Sequence, residues 1–449
     1  NAEYMGMEEG LNQIGLTERT VKNKGRAIFT IKSFHPGEVI IQQDPYVSVP
    51  NNSATITKIC DECFTPTPHS RSCSACHVAW YCGTACQKLD WSLHRMECKS
   101  LCTLDKDKRK LLTPSLRLMI KLHLRKKLQE EKVNSILLSL TTTRYASDSQ
   151  KISSSSHDNY GLVESLVSHM NRIEDKQLIT YAQMANLANM ILQWPDLNLK
   201  EVTENFSKFA CNAHTICDWE LQPLGTGLYP IISLVNHSCR PNCVLMFEGK
   251  KAVVRAVEVI PENSEVLISY IETASSVTTR QKALQEQYFF TCACSRCNEP
   301  GEKDHSDLET EVLSDRIGNQ SAIAIYKEAE KRQMKRCRPG SLALLRPREK
   351  LAKLLMDEKE WSEALRYSRL IIPAYEGLYG EIHPLVGLQY YRCGKLEWML
   401  EETEESVRSL AKAVDVLRIT HGTKLPFVRE LMMKLNEARA EASFKQMKH

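Results

Sequence analysis

The chain has 449 residues, 42% of them hydrophobic and 25% charged, with a formal net charge of +4 at pH 7. These values predict a globular protein of several domains, and so mild a charge does not favour nucleic acid as the main partner. The sequence contains no run of about 20 apolar residues, so it predicts no membrane-spanning helix. The first ten residues lack the pattern of a secretory signal, so we expect a reducing compartment, the nucleus, the cytoplasm or both.

The first half of the chain passes from strand-like to helix-like patterns. Residues 20–59 alternate apolar and polar positions and predict short strands. Residues 99–140 and 160–210 show helical periodicity. Between these two helical stretches, residues 141–159 are rich in serine and poor in apolar groups, which predicts a flexible loop.

The second half begins with strand patterns and ends with helices. Apolar stretches at 231–235, 252–257 and 266–270 predict strands, and the acidic residues 300–318 are typical of a linker. Helical segments then recur at a spacing of roughly 35–45 residues, which resembles tetratricopeptide-type helix pairs. The predicted helices cover residues 321–336, 361–372, 385–400, 403–420 and 427–444.

Many of the seventeen cysteines are clustered, and their spacing points to metal rather than to disulfides. The densest cluster contains eight potential ligands: Cys60, Cys63, Cys73, Cys76, Cys82, Cys86, His94 and Cys98. Zinc prefers four thiolate or imidazole ligands in a tetrahedron, so eight ligands predict two closed structural sites. Metal binding would contribute roughly 10 kcal/mol or more per ion to the folding of so short a segment. Disulfides or free core cysteines are the alternatives, and spacing alone does not settle which ligands share an ion.

A second group of cysteines is one ligand short of a zinc site. It consists of Cys292, Cys294 and Cys297. Cys239 is the candidate for the fourth ligand, because it lies in a polar turn, and Cys243 competes with it. The sequence therefore predicts a third structural zinc ion.

The segment around Cys239 resembles a known family. Residues 236–243 read Asn-His-Ser-Cys-Arg-Pro-Asn-Cys, which is similar to the signature box of SET-domain methyltransferases. Ile268-Ser269-Tyr270 is similar to the second box of that family, and the Cys-x-Cys-x2-Cys group resembles its post-SET motif. The cluster at 60–98 resembles a MYND finger. A finger inserted in a SET domain is similar to the SMYD subfamily, most of all to its plant branch.

This resemblance implies an α+β fold, in which a MYND zinc finger and a helical insert split the SET-domain β-fold. A post-SET zinc site and an all-α, TPR-like C-terminal domain follow. The implied boundaries are 20–59 for the N-terminal part of the SET domain, 60–98 for the finger, 99–210 for the helical insert, 211–290 for the core SET domain, 291–300 for the post-SET segment and 315–449 for the C-terminal domain.

The resemblance also implies how the zinc ligands are grouped. One ion would take Cys60, Cys63, Cys82 and Cys86. The other ion of the finger would take Cys73, Cys76, His94 and Cys98. At the third site the resemblance favours Cys239 over Cys243.

The function implied by the resemblance is methyl transfer from S-adenosyl-L-methionine to a protein lysine. Tyr270 would be the catalytic residue, and Tyr288 would line the lysine channel. The implied cofactor contacts are Lys24, Gly25, Arg26, His169, Asn212, Asn236, His237, Tyr270 and Phe290. Relatives often have an acidic residue for the cofactor ribose two positions before His169, where this chain has Val167.

The chemistry is consistent with these residue types. The attacking lysine must be neutral although its ordinary pKa is about 10.4, and a narrow apolar channel disfavours the ammonium by desolvation. We expect a lysine-bearing protein or peptide as substrate, histone or non-histone, a peptide partner for the finger, no membrane, and a monomer. The alternative is a SET and MYND adaptor that binds partner proteins and catalyses weakly.

Overall fold

The computed structural model describes residues 2–52, 57–142, 160–195, 197–299, 318–338 and 340–447. The chain forms two compact units. The first contains residues 1–32, 40–236 and 245–254, and the second contains residues 33–39, 237–244 and 255–449. Of the loop expected at 141–159, residues 141 and 142 belong to a helix and the rest lie outside the described residues, as do residues 300–317 of the linker expected at 300–318.

The strands are short, and all fourteen in the described residues belong to two-stranded pairs or three-stranded sheets. They are β1 (Leu16–Val21), β2 (Gly25–Thr30), β3 (Val39–Gln43), β4 (Val47–Pro50), β5 (Lys58–Ile59), β6 (Pro66–Thr67), β7 (Arg71–Ser72), β8 (Trp80–Tyr81), β9 (Ala213–Cys217), β10 (Pro223–Leu228), β11 (Asn236–His237), β12 (Cys243–Glu248), β13 (Lys251–Ala256) and β14 (Leu267–Ile268). The three-stranded sheets have the orders β4–β10–β9 and β12–β13–β3, and the two-stranded pairs are β1–β2, β5–β6, β7–β8 and β11–β14.

The helices make up most of the rest. They are α1 (Ala2–Gln13), α2 (Thr84–Cys102), α3 (Lys106–Lys110), α4 (Pro114–Thr142), α5 (Tyr160–Glu164), α6 (Asp175–Leu192), α7 (Leu199–Asn212), α8 (Val277–Tyr288), α9 (Ser295–Asn298), α10 (Asn319–Met334), α11 (Leu342–Asp357), α12 (Trp361–Tyr379), α13 (Pro384–Met399), α14 (Thr403–Thr420) and α15 (Pro426–Gln446). In the part of the chain that the structure describes, none of them is long and apolar enough to cross a membrane.

Helix α4 is the centre of the first unit. Its first half is buried on nearly every side, since Leu116, Met119 and Leu122 are at most 1% exposed. The polar residues Arg117 and Lys121 on the same helix are also buried. Packing against α2, α6, α7 and β4 covers the apolar positions, whereas the buried cations need carboxylate partners. Those partners come from the cysteine-rich segment and are described with the site.

One predicted strand is wrong. Residues 231–235 were expected to form a strand, but the chain forms a short 3₁₀ helix there, Ile232–Leu234. The backbone N–H groups of Ile231 and Ile232 both donate to the side-chain oxygen of Gln43, each at 3.2 Å. A short and wholly apolar run has no periodicity that separates a strand from a buried helical turn, so the pattern alone could not decide.

In the second unit, each helix from α10 to α15 packs against the next along the chain. Consecutive packing of this kind is typical of helical-repeat architectures. The shared core includes Leu351, Ile371 and Leu396, and it also takes in Ala274, which follows Tyr270 by four residues. The C-terminal helices are therefore packed against the segment that carries the second box.

Two proline residues obscure helices in the sequence. Helix α11 is absent from the predicted set and contains Pro347, and α12 continues past its predicted end through Pro373 to Tyr379. Proline removes one backbone hydrogen bond from a helix interior. Burial of the apolar faces, with Leu351 and Ile371 fully buried, offsets that loss, which sequence propensity does not register.

Candidate active site and zinc sites

Four sulfur atoms of the cysteine-rich segment converge at the end of β8 and the start of α2. They belong to Cys60, Cys63, Cys82 and Cys86, and they lie within 4.8 Å of one another. The sulfurs of Cys63 and Cys82 are 3.7 Å apart, and those of Cys82 and Cys86 are 3.4 Å apart. Tetrahedral zinc with bonds of about 2.3 Å to sulfur needs separations near 3.8 Å. The donor set and its spacing therefore fit one zinc ion.

A second group of donors lies deeper in the same segment. Cys73, Cys76, His94 and Cys98 are all buried and also lie within 4.8 Å of one another. The sulfurs of Cys73 and Cys98 are 3.7 Å apart, and Nε2 of His94 is 3.7 Å from the sulfur of Cys76. The structure thus brings the eight ligands together in the two interleaved groups that the resemblance implies.

A buried ion network supports these two groups, and the sequence did not reveal it. Nδ1 of His94 lies 2.9 Å from Oε2 of Glu97, which orients the imidazole with Nε2 toward the cysteines. Arg117 of α4 donates to both oxygens of Glu97 at 2.7 and 3.1 Å, and its guanidinium also lies 2.6 Å from Asp61. Burial alone would raise the pKa of Glu97, but Arg117 and Lys121 hold that pKa below its ordinary value. The only signal in the sequence was the position of Glu97, three residues after His94.

The third group lies in the second unit. Cys239, Cys292, Cys294 and Cys297 place their sulfurs within 4.8 Å of one another, and those of Cys239 and Cys297 are 3.5 Å apart. Cys243 is fully buried at the start of β12, where its thiol contacts the side chain of Asn242. The structure therefore gathers Cys239 rather than Cys243 with the three later cysteines.

His237 connects this sulfur cluster with the second box. Its Nδ1 accepts a hydrogen bond from the backbone N–H of Tyr270 at 2.9 Å, and its Nε2 lies 3.3 Å from the sulfur of Cys239. The neighbouring Ser238 N–H donates to the carbonyl of Ile268 at 2.9 Å. These contacts join the second box, at Ile268 and Tyr270, to His237 and Ser238 of the first box.

The phenol ring of Tyr270 lies in an aromatic cluster. The ring centroids of Tyr270 and Tyr288 are 4.9 Å apart, and the Phe290 ring stands nearly perpendicular to that of Tyr270 at 6.5 Å. The intervening Phe289 has a φ of 59°, a left-handed conformation that ends α8. The aromatic residues pack against Cys239, Cys292 and the other cysteines in one cluster, so the channel residues and the third metal site share their support.

Gln281 of α8 holds the backbone at Cys292, one ligand of the third site. Its amide donates to the carbonyl of Cys292 at 2.7 Å and accepts from the Cys292 N–H at 2.9 Å. Sequence reasoning missed this residue, because a glutamine on an amphipathic helix carries no distinctive signal.

In the first unit, Lys24 ends the turn between β1 and β2, and Gly25 and Arg26 are the first two residues of β2. Gly25 has a φ of +80°, and no atom comes within 4 Å of the place where a Cβ would stand. That open, left-handed position suits glycine and leaves the backbone accessible to a ligand. Asn236 donates to the carbonyl of Arg26 at 3.2 Å, so the box and the turn are in contact.

Arg26 also reaches the segment after α5. Its guanidinium donates to the carbonyl of Ser165 at 2.7 Å and to the Ser165 hydroxyl at 3.3 Å. Helix α7 holds the same segment, since the Asn212 amide donates to the carbonyl of Val167 at 2.8 Å. Hydrogen bonds within the first unit therefore link Arg26 to the 165–169 segment and to Asn236, and link the same segment to Asn212.

His169 lies at the end of that segment in a left-handed conformation, with a φ of 50°. Burial, and then the charge of Arg172, lower the pKa of His169, so the neutral imidazole is favoured at pH 7. The Val167 side chain is 51% exposed. An apolar group thus faces solvent where an acidic residue is common in the SMYD pattern.

Residues 25–271, more than half of the chain, match the SET domain family. The chain therefore belongs to the SET-domain family. Histone-lysine N-methyltransferase ASHR1 of Arabidopsis thaliana is 48% identical over 94% of this chain and 95% of that protein. N-lysine methyltransferase SMYD2-A of Xenopus laevis is 28% identical over 96% of this chain and 100% of that protein.

These relatives confirm the resemblance to the SMYD-like SET and MYND group of protein-lysine methyltransferases. Among solved structures, the SET domain of LSMT bound to lysine and AdoHcy is similar with a TM-score of 0.33 and 12% identity, covering 98% of this chain and 91% of that chain.

Proposed function

We propose that this chain transfers a methyl group from S-adenosyl-L-methionine to the side-chain amine of lysine in protein substrates, histone or non-histone. The observation that carries the proposal is the setting of Tyr270. Its backbone is bound to His237 of the first box, and the rings of Tyr288 and Phe290 surround its phenol. Membership of the SET-domain family supports the same activity.

The aromatic cluster suits an amine that must lose its proton before it attacks. A lysine side chain between aromatic faces is desolvated, which favours its neutral form. The ammonium would give its proton to solvent first, and the neutral amine would then accept the methyl group while the sulfonium leaves as a neutral thioether. Tyr270 would orient the amine, and Tyr288 would stabilise the methylated ammonium by cation–π attraction.

When bound, the cofactor supplies an electrophilic methyl group on a sulfonium. We propose that Lys24 and the open backbone at Gly25 contact its carboxylate end. Asn212, Asn236 and His169, all in the first unit, would bind its polar groups. Arg26 is bonded to Ser165, so we assign to Arg26 the role of holding the turn against the 165–169 segment.

We further propose that the three groups of thiolates and imidazole are closed structural zinc sites. Each offers four ligands, the number that leaves no open coordination position. The third site would hold the post-SET segment against Tyr288 and Phe290. All seventeen cysteines lie in described residues and are free, which agrees with a reducing compartment, the nucleus or the cytoplasm, as the place where the protein acts.

Two measurements test the activity. Calorimetric titration of the zinc-replete protein with S-adenosyl-L-methionine should show binding. Incubation with the isotopically labelled cofactor and a proteome extract, followed by mass spectrometry, should show label on lysine side chains. A protein that binds no cofactor and labels no lysine would instead be an adaptor.

A further inference from the structure

A concave groove in the first unit has none of the residues proposed for methyl transfer in its lining. It has a volume of about 610 Å³ and is formed by the second half of α2, the middle of α4 and the end of α6. None of the zinc-binding candidates lines it, although α2 carries His94 and Cys98 on its buried side. The groove uses the opposite face of that helix.

The rim of the groove is cationic. Arg95 and Lys99 lie one helical turn apart on α2, and Lys127 faces them from α4, all three exposed. Glu131 is the single acidic residue of the lining. Within the described ranges, no carboxylate forms an ion pair with Arg95, Lys99 or Lys127. Three cations therefore face a single carboxylate in the lining, which leaves the groove with an excess of positive charge.

The floor of the groove is apolar. Leu124, Ile191 and Leu192 line it and are between 1% and 5% exposed, and Met96 adds to the lining from α2. Trp194 closes one end, just after Gln193 ends α6 in a left-handed conformation. The combination of an apolar floor with a cationic rim suits a ligand that is acidic and carries apolar side chains.

We propose that this groove docks an acidic peptide segment of a partner protein, with apolar side chains on the floor and carboxylates paired with Arg95, Lys99 and Lys127. Charge complementarity carries the choice of partner, since exposed cations attract and orient an acidic chain. A single-stranded nucleic acid is the weaker match. Its bases need a free aromatic face, and the ammonium of Lys127 already lies 4.6 Å from the centre of the Trp194 ring.

The test is binding of a short fluorescein-labelled peptide that alternates glutamate with leucine, measured by fluorescence anisotropy on the full-length zinc-replete chain. The double variant Arg95→Gln, Lys99→Gln should weaken binding about tenfold, because each exposed charge pair contributes a few-fold. Added salt should weaken the wild-type complex as well. Lys127→Glu, on a different helix, should give at least the same loss and guards against a local effect on α2.

The matched control is Lys88→Gln, Lys176→Gln, which removes two exposed lysines of the same unit that do not line the groove. Its affinity for the peptide should be unchanged, and zinc content and melting temperature should be equal in all variants. Equal peptide affinity of the groove variants and the control would overturn the proposal. The proposal would also be overturned if a poly-dT oligonucleotide bound more tightly than the peptide and lost affinity in the same groove variants. A third contrary result would be undiminished binding of a peptide in which glutamine replaces each glutamate.

Discussion

The backbone N–H of Tyr270 donates to His237, so the position of its phenol depends on the first box as much as on β14, which ends two residues earlier. Its ring also contacts Tyr288 and Phe290. A side chain held from two directions in this way loses little entropy when a substrate arrives, which is the requirement for orienting an amine at a methyl group. The hydroxyl is the one part of Tyr270 whose removal would leave this packing intact.

We therefore expect Tyr270→Phe to fold normally and bind the cofactor, and to lose turnover by about a hundredfold or more, the usual effect of removing a group that acts in the transition state. Single-turnover methylation and calorimetric titration of the cofactor would check both halves. Tyr390→Phe is the control, because its hydroxyl donates to Glu376 among the C-terminal helices. Unchanged single-turnover rates in Tyr270→Phe would contradict the assigned role.

Val167 allows a gain of function at a single side chain. Its carbonyl is occupied by Asn212, but its side chain is 51% exposed and can be replaced without a loss of packing. Val167→Glu would restore an acceptor for the cofactor ribose and should tighten cofactor binding about fivefold, the value of one hydrogen bond. Calorimetric titration would measure it.

The control for that variant is Ile179→Glu, which introduces the same charge at another exposed apolar position, on α6. Its cofactor affinity should equal that of the wild type. If Val167→Glu also leaves the affinity unchanged, residue 167 does not reach the ribose.

At the scale of elements, α13 and α14 depend on glycine for close contact. A Cβ on Gly387 would come within 2.6 Å of Leu417, and one on Gly394 would come within 2.7 Å of Leu410. The hydroxyl of Ser406 on α14 also donates to the carbonyl of Gly394 at 2.8 Å. Helical periodicity predicted both helices, but it treats these glycines only as weak helix formers, so their packing role was not apparent.

Gly394→Ala should therefore lower the free energy of unfolding by about 1–3 kcal/mol through overpacking, despite the better helix propensity of alanine. Gly377→Ala on α12 is the matched control, because no atom lies within 4 Å of its added Cβ. The control should be neutral or stabilised by up to about 1 kcal/mol. Urea denaturation of both variants would compare them, and equal stabilisation would show that α13 and α14 are not in close contact.

At the scale of the whole molecule, the three sets of four candidate zinc ligands are distributed over both compact units. The two in the first unit are joined to α4 through Asp61, Glu97 and Arg117. The third shares its packing with Tyr288 and Phe290. Loss of metal should consequently affect both the stability of the first unit and the order of the aromatic cluster in the second.

Mass spectrometry of metal content should find three zinc ions per chain, one for each group of ligands. Cys297→Ser should retain two of them and lose methylation, because the post-SET segment is no longer held. Cys243→Ala should retain all three, since its sulfur lies outside the cluster. A Cys297→Ser protein with two zinc ions and full activity would contradict the coupling of the third site to the aromatic cluster.

Features whose chemistry is local could be predicted from the sequence alone. These features include the ligand spacing in knuckles such as Cys60-x2-Cys63, the box at 236–243 and most C-terminal helices. Each could be predicted because it depends on neighbouring residues or on one periodicity. The match of residues 25–271 to the SET domain confirms the family that those motifs indicated.

Features that depend on residues distant in the chain could not be predicted from the sequence and became apparent in the fold. From the residues alone Cys239 and Cys243 were both candidates. Both are buried, and the fold separates them by placing the sulfur of Cys239 3.5 Å from that of Cys297 and leaving Cys243 outside the cluster. Packing between elements likewise produces the ion pair of Arg117 with Glu97 and the contact of Arg26 with Ser165. It also produces the groove beside Trp194. Such contacts leave no periodic signal, because each partner taken alone resembles an ordinary polar or apolar surface residue.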